Sequence, residues 1–193
     1  MGKQVLYPEA KKALVTLLAY LGDDPYREGL KETPDRVLKS YSELFSGYRE
    51  TKENDPERIL KTFEDGAKDY DELILLKGVE FCSTCEHHLL PFSGVAHIAY
   101  IPDKKIVVIS KLARLLELFS RRLQVQERLT TQITSTLDKH LRPLGSACVI
   151  EATHSCMSCR GVKKFSTMVT SSLSGVFRKK SKVREEFMNL IRS

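Results

Sequence analysis

Between residues 71 and 177 the chain changes its apolar period twice, and this constrains its fold more than any single residue does. "DELILLKGVEF", "GVAHIAYIPDKKIVVIS", "SACVIEATHSC" and "FSTMVTSSLSGVF" are rich in β-branched residues and bounded by Gly, Pro or Asp, as strands are. Pro102-Asp103 is expected to turn a hairpin inside the second of them. Between the two strand pairs lie "KLARLLELFSRR" and "VQERLTTQITSTLDKHL", both with a helical period, and "SKVREEFMNLIRS" supplies a last helix. Strands that follow one another through short turns predict an antiparallel sheet with helices on one face, an α+β architecture. Upstream, "YPEAKKALVTLLAYLG" places Ala13, Leu14, Leu17, Leu18 and Leu21 at helical spacing and ends at Gly22. In "KETPDRVLKSYSELFSG", Thr33 is placed to cap a helix with Pro34 at its first position; Val37, Leu38, Tyr41 and Leu44 are its expected buried stripe, and Gly47 its end. Residues 48 to 70 read as a polar loop with one short helix. The organisation expected is an N-terminal helical region over 1–70 and a sheet-bearing domain over 71–193.

Bulk properties narrow the function classes. The 193 residues fall within the size of one domain. No run of about eighteen apolar residues occurs, so no membrane span is expected. "MGKQVLYPEAKK" lacks the apolar stretch of an export signal, and Leu6 stands where a myristoylation signal needs Ser or Thr. The expected location is the cytoplasm, without a regulatory appendage ahead of the first helix. A formal net charge of +6 points to an anionic partner: nucleic acid, a nucleotide or another phosphorylated molecule. Five cysteines is an odd number, and four lie beside histidines, which without a secretion signal favours metal over disulfides.

The cysteines sit in two runs. "GVEFCSTCEHHLLPF" spaces Cys82 and Cys85 as C-x-x-C and follows them with Glu86, His87 and His88; "EATHSCMSCRG" repeats the spacing at Cys156 and Cys159, beside His154. Two C-x-x-C runs can close a four-cysteine structural zinc site, which would make a basic, zinc-stapled nucleic-acid-binding module. They can equally contribute to an open Cys/His site that keeps one position for water. Zinc-ribbon knuckles usually carry Gly or Pro near the cysteines, whereas the neighbours here are "FCSTCEHH" and "HSCMSCRG". The crowd of histidines and the glutamate is also more than a closed thiolate site needs. Spacing alone leaves both readings open. His97, within a strand, and His140, near a helix C-terminus that favours its cation, read as structural.

"STCEHHLLPF", "ISKLARLLELFSRRLQVQERLT", "IEATHSC" and "RGV" together resemble the GTP cyclohydrolase I family. "REGLKETPDRV" upstream and "TSSLSGVFR…REEFMNLI" downstream extend the resemblance over nearly the whole chain beyond residue 25. It implies one zinc ion per subunit on Cys85, His88 and Cys156, with a fourth position for a water that the cation activates. The implied reaction converts GTP and water to formate and 7,8-dihydroneopterin triphosphate: hydroxide attack at guanine C8, ring opening, ribose rearrangement and ring closure. His87 and His154, the histidines left beside the ligands, become the catalytic candidates, because imidazole both gives and takes protons near neutrality.

The resemblance also assigns the substrate contacts. Glu127 matches the carboxylate that accepts from guanine N1–H and the exocyclic amine, and Gln126 a second base contact. Lys111 and Arg114, three residues apart at the start of a helix, match triphosphate ligands with Ser110 beside them; Arg160 and Arg36 match the remaining ones. "FSRRLQ" and "RKKSKVR" read as solvated basic faces and receive no role. The implied fold is the tunnelling fold, with two long helices on one face of the sheet. Sheets from five protomers close into a barrel, and two such rings stack into a homodecamer with the active site between subunits. Neither nucleic acid nor membrane is an expected partner. Cys82 and Cys159 depart from the family pattern. On this reading Cys82, Cys148 and Cys159 react with thiol reagents, whereas the four-cysteine module would leave only Cys148. A third reading is another tunnelling-fold enzyme acting on a related pterin or deazapurine, but such relatives generally lack this combination of motifs.

Overall fold

The computed structural model describes residues 6–63 and 70–193; residues 64–69 of the expected loop over 48–70 lie outside the described residues. The chain divides into two compact units, Met1–Ser46 and Gly47–Ser193. The break falls earlier in the chain than the boundary at residue 70 expected from composition.

The first unit is a helix pair, α1 (Tyr7–Tyr20) and α2 (Thr33–Leu44). Gly22 ends the first helix as expected, at φ +92°, with its N–H donating to the Ala19 carbonyl. Lys11 and Tyr7 on α1 both bond the Asp35 carboxylate on α2, at 2.7 and 2.8 Å. The second helix begins at Thr33 itself, with Glu32 ahead of it and no side-chain cap. The expected stripe is only half-buried at Val37, Leu38 and Leu44, and Tyr41 is exposed, edge-on to Phe45 at 5.1 Å. No residue of α1 is fully buried, and Leu17, Tyr20 and Leu21 are exposed.

The second unit runs α3 (Pro56–Ile59), β1 (Thr62–Phe63), β2 (Ile74–Cys85), β3 (Pro91–Ile101), β4 (Ile106–Val107), α4 (Ile109–Ser120), β5 (Leu123–Gln124) and α5 (Gln126–Leu141). Then follow β6 (Gly145–His154), α6 (Ser155–Ser158), β7 (Thr167–Leu173), α7 (Gly175–Lys179) and α8 (Ser181–Arg192). The main sheet has the order β5-β2-β3-β6-β7, antiparallel throughout except for the short β5, which runs parallel to β2. The hairpin expected around Pro102-Asp103 does not form. β3 already has β2 on one edge and β6 on the other, so β4 pairs instead with β1 in a separate two-stranded ribbon. In the last strand segment, "GVF" turns helical, and Phe165 lies exposed ahead of β7.

Period-two alternation sorts the sheet into two cores. Ala96, Ile98 and Tyr100, with Cys148 and Ile150, pack under Leu112, Leu115 and Leu116 of α4 and Leu129, Ile133 and Leu137 of α5. Their neighbours Ala99, Ile101, Ala147 and Val149 face the other way, onto Phe177 and Phe187. The two long helices therefore share one face as expected, but the C-terminal helices cover the opposite face. β2 bulges between Leu76 and Val79, where Gly78 sits at φ +69° and donates its N–H to His97 Nδ1 at 3.3 Å. His97 is thus the satisfied, buried histidine that its place in a strand suggested. Gly47 was expected as a helix stop. A Cβ there would come within 2.3 Å of the Leu118 carbonyl oxygen and 2.8 Å of that of Arg121, so close approach to the end of α4 is what demands glycine.

Candidate metal centre and active site

The two cysteine runs meet because the sheet register brings them to one end. Phe92, the last residue of the first run, pairs with His154 in the second. β2 ends at Cys85, whose N–H donates to the Leu90 carbonyl at 2.9 Å, while its own carbonyl accepts from Leu89 N–H at 2.9 Å. This closes a tight turn over residues 86–89. Leu89 adopts φ +54° there, a conformation that costs a side-chain-bearing residue about 1–2 kcal/mol and is held by the pairing on both sides. The turn folds His88 back so that its Nδ1 lies 3.8 Å from Cys85 Sγ. Beyond β6, the single turn of α6 supplies Cys156.

One ligand atom each from Cys85, His88 and Cys156 lies within 4.8 Å of the others, the one such group among the described residues. Cys82 and Cys159 are outside it, and both are exposed. For Cys82 the reason is strand geometry: residues three apart on a strand face opposite sides, so C-x-x-C on continuous β2 cannot present both thiols to one ion. The closed four-cysteine reading fails on this point. Two thiolates and an imidazole suit zinc and similar first-row metals, and three protein donors leave a position open. Burial, then the neighbouring Cys85, push the Cys156 thiol up from its ordinary range; a bound cation would act in the opposite sense. Cys148, expected to react freely, is instead fully buried in the core beneath α4 and α5, and burial pushes its thiol far up.

His154 stands beside this cluster with its ring stacked on Phe92, at 4.6 Å between centroids and 2° between planes. Burial lowers its pKa, and the exposed carboxylate of Glu127 opposes that shift. His87 is far more open, with 64% of its side chain exposed and Nε2 3.9 Å from the Glu86 carboxylate. Glu86 is gripped by both terminal nitrogens of Arg128, which holds its carboxyl below the usual range.

Arg160 lies at the centre itself, its Nη1 3.0 Å from His88 Nε2. Gln126, expected to touch a base, is buried at 1% exposure, with its side-chain amide engaged by Ile150, Met168, Thr170 and His154. Ser110, Lys111 and Arg114 occupy the start of α4, beyond the Ile101 end of β3. The helix then runs back to Ser120, whose carbonyl accepts from Ser83, and onward to β5 beside Thr84 and Cys85. Along the helix, Ser110 and Lys111 lie about 14–15 Å and Arg114 about 9 Å from Ser120, and among the described residues the contacts at the metal cluster come from Arg160 and not from these three. Arg36 belongs to the first unit, where it pairs with Glu32 at 2.6 Å. Sequence reasoning missed Phe92, Arg128 and Thr170. Phe92 was signalled by its place in "HHLLPF"; the other two act across 40 or more residues and leave no local mark.

A family model described as GTP cyclohydrolase I matches residues 10–192. The chain is 52% identical over 183 residues to "GTP cyclohydrolase 1" of Rickettsia bellii, covering 94% of this chain and 93% of that one. It is 53% identical over 183 residues to the protein of the same name from Wolinella succinogenes, covering 94% and 95%. A third so named, from Synechococcus, is 51% identical over 192 residues, covering 99% of this chain and 82% of the relative. An archaeosine synthase QueF-like structure in its apo form aligns at a TM-score of 0.40 and 15% identity, over 52% of this chain and 92% of that one, a likeness too loose to bear on the fold.

Proposed function

The chain belongs to the GTP cyclohydrolase I family, and from that premise we propose how its own residues carry out GTP cyclohydrolase chemistry. The enzyme converts GTP and water to formate and 7,8-dihydroneopterin triphosphate, a step of pterin and folate biosynthesis. The observation that carries this reading is the convergence of Cys85, His88 and Cys156 within 4.8 Å at the sheet end that also holds His154.

Cys85, His88 and Cys156 hold the metal, taken as one zinc ion per subunit from the soft donor set. A cation there supplies the Lewis acidity that makes water a competent nucleophile near neutral pH. His154 gives a proton to guanine N7 as the imidazole ring opens and serves the later rearrangement as the neighbouring acid–base group. His87, at the open side of the same turn, is the second proton-transfer candidate. The Glu127 carboxylate accepts side by side from guanine N1–H and the exocyclic amine, and its position next to His154 supports that role. Ser110, Lys111, Arg114, Arg160 and Arg36 carry the triphosphate, whose charge needs several cations together.

Of the cations in the second unit, Arg160 adjoins the metal cluster of its own chain. The separation of Lys111 and Arg114 from it supports a site completed by a second copy, as in a barrel of five subunits stacked into a decamer. The exposed Leu17 and Tyr20 of α1, Leu21 just past its end, and the edge strand β7 with its exposed Val169 are surfaces of the kind that assembly covers. Among the described residues no helix is long and apolar enough to cross a membrane, and a cytoplasmic location fits the substrate.

The test is to mix metal-loaded protein with GTP and assay formate and dihydropterin together. Equal yields of both, abolished by Cys85→Ser or Cys156→Ser, are expected. Formate alone would mean that the ring opens but rearrangement stalls, and would point to His154. Neither product from an assembled, metal-loaded protein would overturn the reading.

A further inference from the structure

The hydrogens around Gln126 can be assigned from their partners alone. Thr130 Oγ1 donates to the Gln126 carbonyl at 2.7 Å, which uses its single hydrogen. Thr170 Oγ1 lies 2.6 Å from Thr130 Oγ1, so the Thr170 hydroxyl must be the donor of that bond. Thr170 Oγ1 is left to accept from the Gln126 side chain at 3.2 Å. The Ile150 and Met168 carbonyls, each 3.0 Å from the same amide nitrogen, can only accept. Three acceptors therefore surround one end of the amide, and that end is the NH₂. The reversed amide would set its oxygen against two carbonyl oxygens inside the core. The Gln126 oxygen thus faces His154 Nε2, at 2.8 Å, and an amide oxygen only accepts.

We propose that Gln126 is a positioning residue for the catalytic reaction: its buried amide oxygen holds a hydrogen on His154 Nε2 and leaves Nδ1 as the nitrogen that exchanges a proton with substrate. This rests on the reading of His154 as the acid–base group. The coplanar stack on Phe92 fixes the ring plane, and the Gln126 bond fixes rotation within it.

The amide is in turn held by a polar seam along the helix. Residues 126, 130, 134 and 138 of α5 are spaced by four, and 170, 172 and 174 along β7 and just past its end by two. Four helical residues rise about 6 Å and two strand residues about 6.7 Å, so the two series stay in step. Thr134 meets Ser172 at 2.7 Å, and Asp138 accepts from Ser174 at 2.9 Å. This seam sets the register that delivers the Met168 carbonyl and Thr170 to Gln126.

Two measurements test the proposal. In zinc-loaded enzyme carrying ¹⁵N-histidine, at a pH where the ring is neutral, the His154 ring signals are identified by their loss in His154→Asn. A protonated, pyrrole-type Nε2 is expected; the hydrogen on Nδ1 would overturn the proposal, and this measurement needs no folded Gln126 variant. In Gln126→Met, kcat is expected to fall about 10- to 100-fold, the scale of losing an orienting partner, with KM for GTP unchanged. A raised KM with kcat retained would overturn the proposal and restore Gln126 as a base contact. Full turnover in His154→Asn would remove the reading beneath it, an outcome that the ring signals distinguish because they report orientation without activity.

Discussion

The two ends of the main sheet are built from different chemistry. At the Pro91 end, a left-handed leucine, two cysteines and a folded-back histidine gather metal donors next to His154. At the Ile101 end, the start of α4 presents Ser110, Lys111 and Arg114, which with its helix N-terminus suits an anion. On the proposed reading the first end activates water, and its cations are Arg160 and the Arg128 already committed to Glu86; the second holds phosphates. A helix about 18 Å long lies between them. On the proposed reading, a nucleotide needs the metal end of one copy and the anchor end of another.

The strongest way to break this comparison is at the metal end. Cys156→Ser or removal of the metal should lower turnover by roughly three orders of magnitude, several kcal/mol of lost charge stabilisation. The thermal melt followed by circular dichroism should change far less, because both apolar cores close without any ligand residue except Cys85 and the edge-packed Cys156. Unfolding on chelation would make this end a staple instead. At the anchor end the expected effect is smaller and of another kind. Lys111→Ala and Arg114→Ala should each raise KM for GTP about tenfold, the loss of one charge-assisted bond, with kcat nearly kept; a fall in kcat alone would place them at the chemistry.

Smaller effects sharpen the picture of what surrounds the site. In the native, metal-loaded protein, Cys82 and Cys159 should label with a thiol reagent while Cys148 labels only after unfolding, as mass spectrometry of the modified peptides would show. Labelling of Cys85 or Cys156 with metal bound would contradict the ligand set. Burial lowers the pKa of His97 from its ordinary 6.5, Glu151 opposes the shift and Lys77 adds to it. The folded state binds this proton less readily than the unfolded one. Its contribution to stability is therefore complete above pH 6.5 and is lost as pH falls through the lowered folded value. His97→Gln should flatten the melting temperature's pH dependence in that window, and an unchanged slope would show that His97 is not its source.

How much of this was legible in the sequence follows from how local each feature is. Cys85, His88 and Cys156 lie in short motifs, so resemblance could point to them, and β-branched runs marked the long strands because alternation is a property of neighbours. The misread hairpin after Ile101 is different: whether residues 106–107 pair with β3 depends on β3 having both edges taken, one of them by a strand more than 40 residues downstream. The resemblance implies a base contact for Gln126, while the acceptors that commit its amide, Ile150, Met168 and Thr170, are 24 to 44 residues away. Cys148 reads as one more thiol until its strand is placed beneath α4 and α5.

The most direct test of a site shared between copies is to mix two chains that each turn over little GTP at concentrations near the native KM. One carries Cys156→Ser, with its metal end disabled and its anchor intact; the other carries Lys111→Ala with Arg114→Ala, with its anchor disabled and its metal end intact. After unfolding and reassembly together, random mixing should pair an intact metal end with an intact anchor in about a quarter of the sites, and GTP turnover should return to that level. No recovery from a mixed, metal-loaded assembly would mean that each chain uses its own anchor, and would contradict the account.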